Sequence, residues 1–520
     1  MTLPLIWSIA GTDSGGGAGL AADQRAAEAF GVHLCPVVSA VTAQNSMAVT
    51  SVRPVPADWL DAQLAALAAD MPPRAIKCGL LGNVDNLRVL VRWLDQLRAD
   101  HGPIPLIVDP VLGASTGRSF ANDAMLAAYR HELLPRTTLL TPNRREAALL
   151  LGGVPDEGGH AAWPALARAL RAIGVQAVAI TGGDSPDLAH QALDWIDTPQ
   201  AQGWLAAPRV RTPHHHGTGC TFATSAASAI ALGHAPADSL VLAKMATLHA
   251  LRHAGPVGQG AGPVRARVGF ATDVGCMPQM SWGEALEALT PVALPDEAER
   301  REPLGLYAIV DSSERVQQVL DAGVRTVQLR IKAGSVDEPA LRQHINQTID
   351  QCRAVGAQLF INDHWALACE LGAPGVHLGQ EDLQALGEAG RAELRASGVA
   401  LGISSHSLWE LARARSLGPR YIACGPVWPT LTKAMPWRSQ GLDNLSWWCR
   451  MAGHPVVAIG GILAPDQARA AAACGAAGVC VVRGLGHRLE ATVPGFVEAL
   501  RGGALHPSRE VPELPHPVLG

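Results

Sequence analysis

The chain has 520 residues, of which 48% are hydrophobic and 17% charged, with a formal net charge of -5. Charge this sparse, against roughly 25% in an average globular protein, leaves ample apolar material for large cores and excludes disorder over most of the length. There is no basic excess with which to neutralise a nucleic-acid backbone, so any bound anion is expected to be small and held locally.

The opening MTLPLIWSIAGTDSGGG has no basic stretch before its short apolar run, so a first strand is expected there and not a signal peptide. No run approaches the roughly 18 apolar residues of a membrane span. The ten cysteines form no CxxC pair, which argues against a disulfide framework or thiolate zinc site and for a reducing compartment. A cytoplasmic protein with no membrane and no nucleic-acid partner is expected; oligomeric state is left open, a homo-oligomer included.

In the first half, PLIWSIAG, AIKCGLLG, PLIVDPVL, TTLLTPN and AVAITGG alternate with Ala/Leu-rich helical segments. That alternation predicts a parallel sheet covered by helices. The glycines of IAGTDSGGGAGLAADQ follow the first strand and could let backbone approach a ligand. No Gly-Lys-Ser/Thr follows, so this is not a Walker loop, and a ligand-free turn would look the same. VDPVL places Asp109 at a strand end. TPNRREAALLLG sets Asn143 and Glu146 three apart at a helix start, where both can face one site. Oxygen ligands of this type suit Mg2+, although Glu146 could equally be a helix cap.

HHHGTGC, residues 214–220, opens a helix of small residues. The backbone N–H groups of Gly217, Thr218, Gly219 and Cys220 would point out of its N-terminus, where partial positive charge favours a phosphate. Consecutive histidines on extended chain face opposite ways, so 214, 215 and 216 cannot converge on one ion, and His214 and His215 read as solvated. Cys220 reads either as a nucleophile whose thiol pKa the helix end lowers or as a buried structural cysteine.

The rhythm fails over residues 272–303, which hold four prolines. A linker is expected there, between an N-terminal domain 1–271 and a C-terminal domain 304–500. The Pro-rich tail 501–520 is expected to lie outside either core. Within 304–500 eight apolar runs recur: GLYAIV, TVQLRI, QLFIN, GVHLG, ALGIS, YIACGPV, VVAIGG and GVCVVRG. Eight strands with helical spacers predict a compact (β/α)8 barrel, whose reacting groups gather at the C-terminal strand ends. Alternation in VQLRIK sends Gln328, Arg330 and Lys332 to one side, and the two cations suit a phosphate or diphosphate. INDH and HLGQED bring Asn362, Asp363 and Asp382 to adjacent strand ends, and paired carboxylates beside cations look like a magnesium-diphosphate site. GPVWPTLTK adds Thr430, Thr432 and Lys433, and the glycines of AIGGI and VVRGLG close the rim.

AGTDSGGGAG, AVTAQNS, KCGLLG, DPVL, TPNRREA, HGTGCT and GPVGQGAGPV occur in this order over residues 1 to about 270. That set resembles the hydroxymethylpyrimidine/phosphomethylpyrimidine kinases of the ribokinase superfamily, which implies a three-layer α/β/α fold. The resemblance implies that Gln44 recognises an aminopyrimidine with Asp23 near it, and that Cys220 stands where most sugar kinases carry a base aspartate. It also implies ATP, with Mg2+ near Asp109, Asn143 and Glu146. Two positions depart from the pattern: TGGD at 181–184 lacks a Lys before its glycines, and Leu80 replaces a Met.

Residues 304 to about 500, with QLRIK, INDH, HLGQED, GISSHS, GPVWPTLTK and AIGGI, resemble thiamine-phosphate synthase. By resemblance, Gln328, Arg330, Lys332, Asn362, Thr430, Thr432 and Lys433 hold a pyrimidine diphosphate, Arg330 and Lys433 act on the leaving group, and Asp363 and Asp382 bind Mg2+. Ser404 lies at the pyrimidine, and Gly460 and Gly461 approach a thiazole phosphate. Arg483 replaces a small hydroxyl residue, either gripping that phosphate or pointing outward. The implied substrates are thus hydroxymethylpyrimidine and its phosphates, thiazole phosphate and ATP. A rival reading is a pyridoxal-type vitamin-ring kinase with an inactive or precursor-sensing barrel.

Overall fold

A computed structural model describes residues 3–113, 120, 122–153, 159–183, 190–286, 289, 303–430, 436–506 and 509–519. It divides into two compact units, Met1–Leu286 and Glu287–Gly520. Among the described residues no helix is long and apolar enough to cross a membrane.

The strands of the first unit are β1 (Leu5–Gly11), β2 (His33–Gln44), β3 (Val49–Pro54), β4 (Ala75–Cys78), β5 (Leu106–Val108), β6 (Leu139–Leu140), β7 (Val178–Thr181), β8 (Gln191–Asp197), β9 (Gln202–Pro208) and β10 (Gln279–Met280). They form one sheet in the order β10-β9-β8-β7-β6-β5-β4-β1-β2-β3. From β2 to β7 the neighbours run parallel, and antiparallel pairs finish both edges. The parallel strands are continuous apolar runs because helices bury both of their faces. Helices Gly19–Ala29, Thr218–Ala231 and Pro236–Arg252 pack together on the sheet, as do Ala57–Ala68 and Val84–His101. The alanines and serines of Thr218–Ala231 are almost all buried, which lets that helix lie close over β4 and β5.

Residues 272–286, expected to be linker, belong to this unit. β10 pairs with β9 through Gln279↔Ala206 and Met280↔Leu205, and Cys276, Met277, Met280 and Trp282 are buried. Apolar side chains that can seal a sheet edge outweigh the local prolines.

The second unit is a closed barrel of parallel strands: β11 (Gly305–Val310), β12 (Thr326–Leu329), β13 (Gln358–Asn362), β14 (Gly375–Leu378), β15 (Ala400–Ser405), β16 (Tyr421–Cys424), β17 (Val456–Ala458) and β18 (Gly478–Val481). β18 returns to β11 with Gly305↔Gly478, so no edge remains. Leu304, Tyr307, Phe360, Tyr421, Ala423, Val457 and Cys480 fill the interior. The tail is not outside this core. Its first residues extend the helix Leu489–Leu505, and Val518, 4% exposed, accepts a hydrogen bond from Arg438 N at 2.8 Å. Apolar Val518 and Leu519 at the end of a proline-stiffened segment find partners on the barrel.

Candidate active sites

In the first unit the helix Thr218–Ala231 starts at Gly217, whose φ of +86° is the left-handed conformation that glycine adopts without strain. A Cβ on Gly217 would also collide with the carbonyl of Gly17, so the glycine loop after β1 lies directly against this helix end. Gly219 is exposed and Gly217, Thr218 and Cys220 are half-buried, which leaves the helix end open to an anion.

Beneath it lies a charge cluster. Lys77 on β4 and Asp23 on helix Gly19–Ala29 are both 0% exposed, with Nζ 3.0 Å from each carboxylate oxygen. Ser8 and Thr224 hydroxyls also donate to Asp23, at 2.6 and 2.7 Å. Both Asp23 oxygens are therefore satisfied inside the protein. Asp23, expected near the pyrimidine, is the buried counter-ion of Lys77. On its other side Lys77 faces Asp109 at 3.7 Å. Burial alone would lower the Lys77 pKa, but Asp23, Cys220 and Asp109 outweigh it and hold the ammonium above its ordinary range.

Asp109 follows β5 and points toward Gly219 and Cys220. Burial raises its pKa, and Lys77 opposes this in part. Its Oδ2 is buried and has no hydrogen-bond partner among the described residues. Burial pushes the Cys220 thiol up to about 12 against the pull of Lys77, the reverse of the lowering expected from the helix end. Cys220 is thus a neutral thiol near pH 7. Asn143 caps helix Arg144–Leu150 by accepting from Glu146 N at 2.9 Å, and the Glu146 carboxylate accepts in return from Asn143 N at 2.9 Å. The capping alternative is realised, engaging one Glu146 oxygen. Asp109 and Glu146 both act on the buried Tyr129, which places them in one neighbourhood.

Across the glycine loop, a cavity of about 190 Å³ is lined by Asp13, Asn45, Ser46, His216 and Pro263 among others. Sequence reading missed Asp13 and His216. The Asp13 carboxylate gathers the N–H groups of Gly15, Gly17 and Ala18 at 2.8–2.9 Å and meets His216 Nε2 at 2.9 Å. Burial works against its ionisation, but His216 and those backbone donors prevail and hold the pKa below 3.8. Gln44, at the end of β2, has Nε2 3.2 Å from the same His216 nitrogen. A ring nitrogen that donates to Asp13 cannot also accept from Gln44, so the Gln44 amide keeps its donors for a ligand. The alternation that disqualified three histidines as metal ligands was itself the signal that His216 turns inward.

In the barrel, Arg330, Asp363, Asp382 and Ser404 stand on four neighbouring strand-end segments, from β12 to β15. Arg330 N donates to Val310 O at 2.7 Å just beyond β12. Asp363 has φ +62°, a strained value for a residue with a side chain. Burial raises its pKa, Asp382 raises it further, and Arg330 opposes both, so the three charges share one space. Asp382 also accepts from Gly379 N at 3.0 Å in the first turn of helix Gln380–Ala385. Asn362 is buried at the end of β13, opposite His377 in register.

A polar chain that the sequence did not disclose crosses the interior. Ser404 Oγ lies 2.8 Å from His377 Nε2, His377 Nδ1 lies 2.8 Å from Tyr421 Oη, and Tyr421 Oη lies 2.7 Å from Tyr307 Oη. Gln328 Nε2 then donates to Tyr307 Oη at 3.1 Å. Burial holds His377 neutral, at about 4, with Arg330 adding to the effect. Of Gln328, Arg330 and Lys332, expected on one side, only Gln328 lies within β12, which ends at Leu329. Gln328 is buried, Arg330 half-buried and Lys332 exposed in the following turn.

Thr430 is half-buried after β16, whereas Thr432 and Lys433 lie outside the described residues. Gly460 and Gly461 adopt φ of +94° and +72° with Pro426 and Trp428 packed against them, closing the rim. Arg483 is exposed after β18.

An open helix end over a buried charge cluster, and a barrel with cation and carboxylates at its strand ends, together define a two-site enzyme that handles phosphate esters. Residues 13–265 match the family model of phosphomethylpyrimidine kinase, and residues 306–485 that of thiamine monophosphate synthase. The probable thiamine biosynthetic bifunctional enzyme, chloroplastic, of Oryza sativa subsp. japonica is 33% identical over 482 residues, 90% of this chain and 82% of that protein. Thiamine-phosphate synthase of Neisseria meningitidis serogroup A is 47% identical over 184 residues, 35% of this chain and 87% of that protein. Among solved structures, an ADP complex of Bacillus subtilis pyridoxal kinase covers 51% of this chain and 98% of its own, at 26% identity and a TM-score of 0.47. The chain belongs to the family of bifunctional thiamine biosynthetic enzymes.

Proposed function

We propose that the first unit uses ATP to phosphorylate 4-amino-5-hydroxymethyl-2-methylpyrimidine and then its phosphate, and that the barrel joins the diphosphate to thiazole phosphate. The products of the barrel are thiamine phosphate and free diphosphate. The observation that supports the reading is the barrel rim, where Arg330, Asp363 and Asp382 act on one another's charge and Ser404 bonds His377, all at consecutive strand ends.

In the first unit Gln44 reads the aminopyrimidine edge, since an amide can donate and accept at once. The N–H groups from Gly217 to Cys220 receive the transferring phosphoryl group, and the neutral Cys220 thiol serves there as a donor. Asn143 and Glu146 lie on the nucleotide side. In the barrel, Gln328, Arg330, Lys332, Asn362, Thr430, Thr432 and Lys433 hold the pyrimidine diphosphate. Ser404, oriented by His377, contacts the ring, and Gly460, Gly461 and Arg483 face the thiazole phosphate.

Mg2+ fits both units. Asp109 offers a buried oxygen that accepts no hydrogen bond among the described residues and has the Lys77 ammonium nearby, at 3.7 Å, and Asp363 and Asp382 offer two carboxylates whose mutual repulsion a cation would relieve. Among the described residues no group of three or more His, Cys, Asp or Glu forms a metal cage. A cage is not what Mg2+ requires, since it keeps several waters and takes one or two carboxylates. When bound, it would neutralise polyphosphate charge. Arg330 and Lys433 stabilise the departing diphosphate more than the intact ester, so the methylene C–O bond breaks with its electron pair on diphosphate. The thiazole nitrogen then forms the new C–N bond, and no protein nucleophile takes part.

The purified chain, given ATP, Mg2+, hydroxymethylpyrimidine and thiazole phosphate, is expected to form thiamine phosphate, followed by chromatography of the products. Accumulation of pyrimidine diphosphate without coupling would overturn the barrel half. Faster phosphate uptake on pyridoxal than on the pyrimidine would overturn the kinase half.

A further inference from the structure

The tail touches the barrel at residues that themselves hold the rim. Asn444, buried in helix Gly441–Met451, makes a reciprocal pair with the backbone of His516: His516 N donates to Asn444 Oδ1 at 2.8 Å and Asn444 Nδ2 donates to His516 O at 3.0 Å. His516 Nε2 lies 2.7 Å from Gln440 O, and Trp437 bridges to Leu519. Arg509 adds an exposed ion pair with Asp443, which contributes little.

Gln440 carries these contacts inward. It is 0% exposed; its Nε2 donates to His406 O at 2.6 Å and its N to Pro426 O at 2.7 Å, while its Oε1 accepts from Asn444 at 3.0 Å. Trp437 stacks on the His406 ring at 5.5 Å and 5°. His406 lies two residues beyond Ser404. From the same segment, Val427 N donates to Ile459 O at 2.9 Å and Trp428 N to Gly460 O at 3.1 Å. One continuous set of bonds therefore runs from the tail to the ends of β15, β16 and β17, where Ser404, Thr430, Gly460 and Gly461 are found.

We propose that residues 509–519 are a clamp that positions the barrel rim for the pyrimidine diphosphate, acting through Gln440 and Trp437. Among the described residues the tail bonds to no proposed substrate group, so His516 and its neighbours are positioning residues. Prolines 512, 515 and 517 suit the task, because a stiff segment loses little entropy on docking. Small displacements of substrate-holding groups cost on the order of 100-fold in rate. The inference rests on the proposed barrel reaction.

The test uses the full chain, a chain ending at residue 508, and His516→Ala. Three quantities are read: synthase kcat and KM for the pyrimidine diphosphate, the kinase rate of the same preparation, and amide exchange of peptides covering 403–407, 425–430 and 436–444. The shortened chain is expected to lose about 10- to 100-fold in synthase kcat/KM, mostly through KM. Exchange in those peptides should quicken, the kinase rate should stay constant, and His516→Ala should fall between. Unchanged exchange overturns the clamp, and so does faster exchange with kcat/KM retained. Absence of synthase activity from the unaltered full chain would instead sink the barrel reaction, whatever the exchange shows.

Discussion

Replacing Lys77 with methionine probes the charge cluster under the helix end. Lys77 and Asp23 are wholly enclosed, and Nζ stands 3.0 Å from both carboxylate oxygens. Removing one partner of such a pair costs about 3–5 kcal/mol, because a carboxylate is left in the interior with only the Ser8 and Thr224 hydroxyls as donors. Adding Asp23→Asn removes the stranded charge, so the double variant should recover most of the loss. Amide exchange of β1 and β4 peptides in the intact chain is the assay, with barrel peptides as internal reference. Exchange in Lys77→Met should accelerate by about two to four powers of ten if those strands open through unfolding of their unit. Acceleration under tenfold, or a double variant as labile as the single one, would refute the view that Lys77 neutralises Asp23.

Gly217→Ala places a side chain at φ +86° against the Gly17 carbonyl. Kinase turnover should fall at least about tenfold while the synthase rate of the same sample holds. Asp13 has a folded pKa below its ordinary 3.8. Its contribution is complete above that ordinary value and is lost as pH falls through the lower folded one, so Asp13→Asn should flatten the acid limb of unfolding, seen by circular dichroism. Ser404→Ala deprives the buried His377 Nε2 of its partner; the barrel should lose about 1–3 kcal/mol in denaturant titration, with KM for the pyrimidine diphosphate rising more than kcat falls. Arg330→Met should lower synthase kcat by about 100-fold or more, measured under saturating substrates.

The parallel strands β1, β4, β5, β6 and β7 and all eight barrel strands fall on the apolar runs read from the sequence, because each is a short, largely apolar run and most are closed by glycine, proline or asparagine. The hairpin β8–β9 did not show itself in the same way, since Asp194 and Asp197 interrupt its pattern, and two-residue β10 is too short for any period. Asn143 and Glu146 were legible as a pair but not in their choice between cap and ligand, which depends on side-chain rotation. Asp23 and Lys77 illustrate the harder case: each looks like an ordinary charge in its own segment, and only the closing of β1 against β4 buries them together. The Ser404–His377–Tyr421–Tyr307–Gln328 chain likewise exists only after barrel closure. His377 within GVHLG gave a polar residue on a strand, with nothing to indicate two partners from other strands.

The pairing of β10 with β9 decides where the two catalytic halves could be separated for independent use. A polypeptide stopped at 271 would omit Cys276, Met277, Met280 and Trp282 and bare the ladder groups of β9, a template for unwanted self-association. One continued to 286 would keep that border sealed, so workable dissection of the enzyme starts some fifteen residues later than its proline pattern suggests.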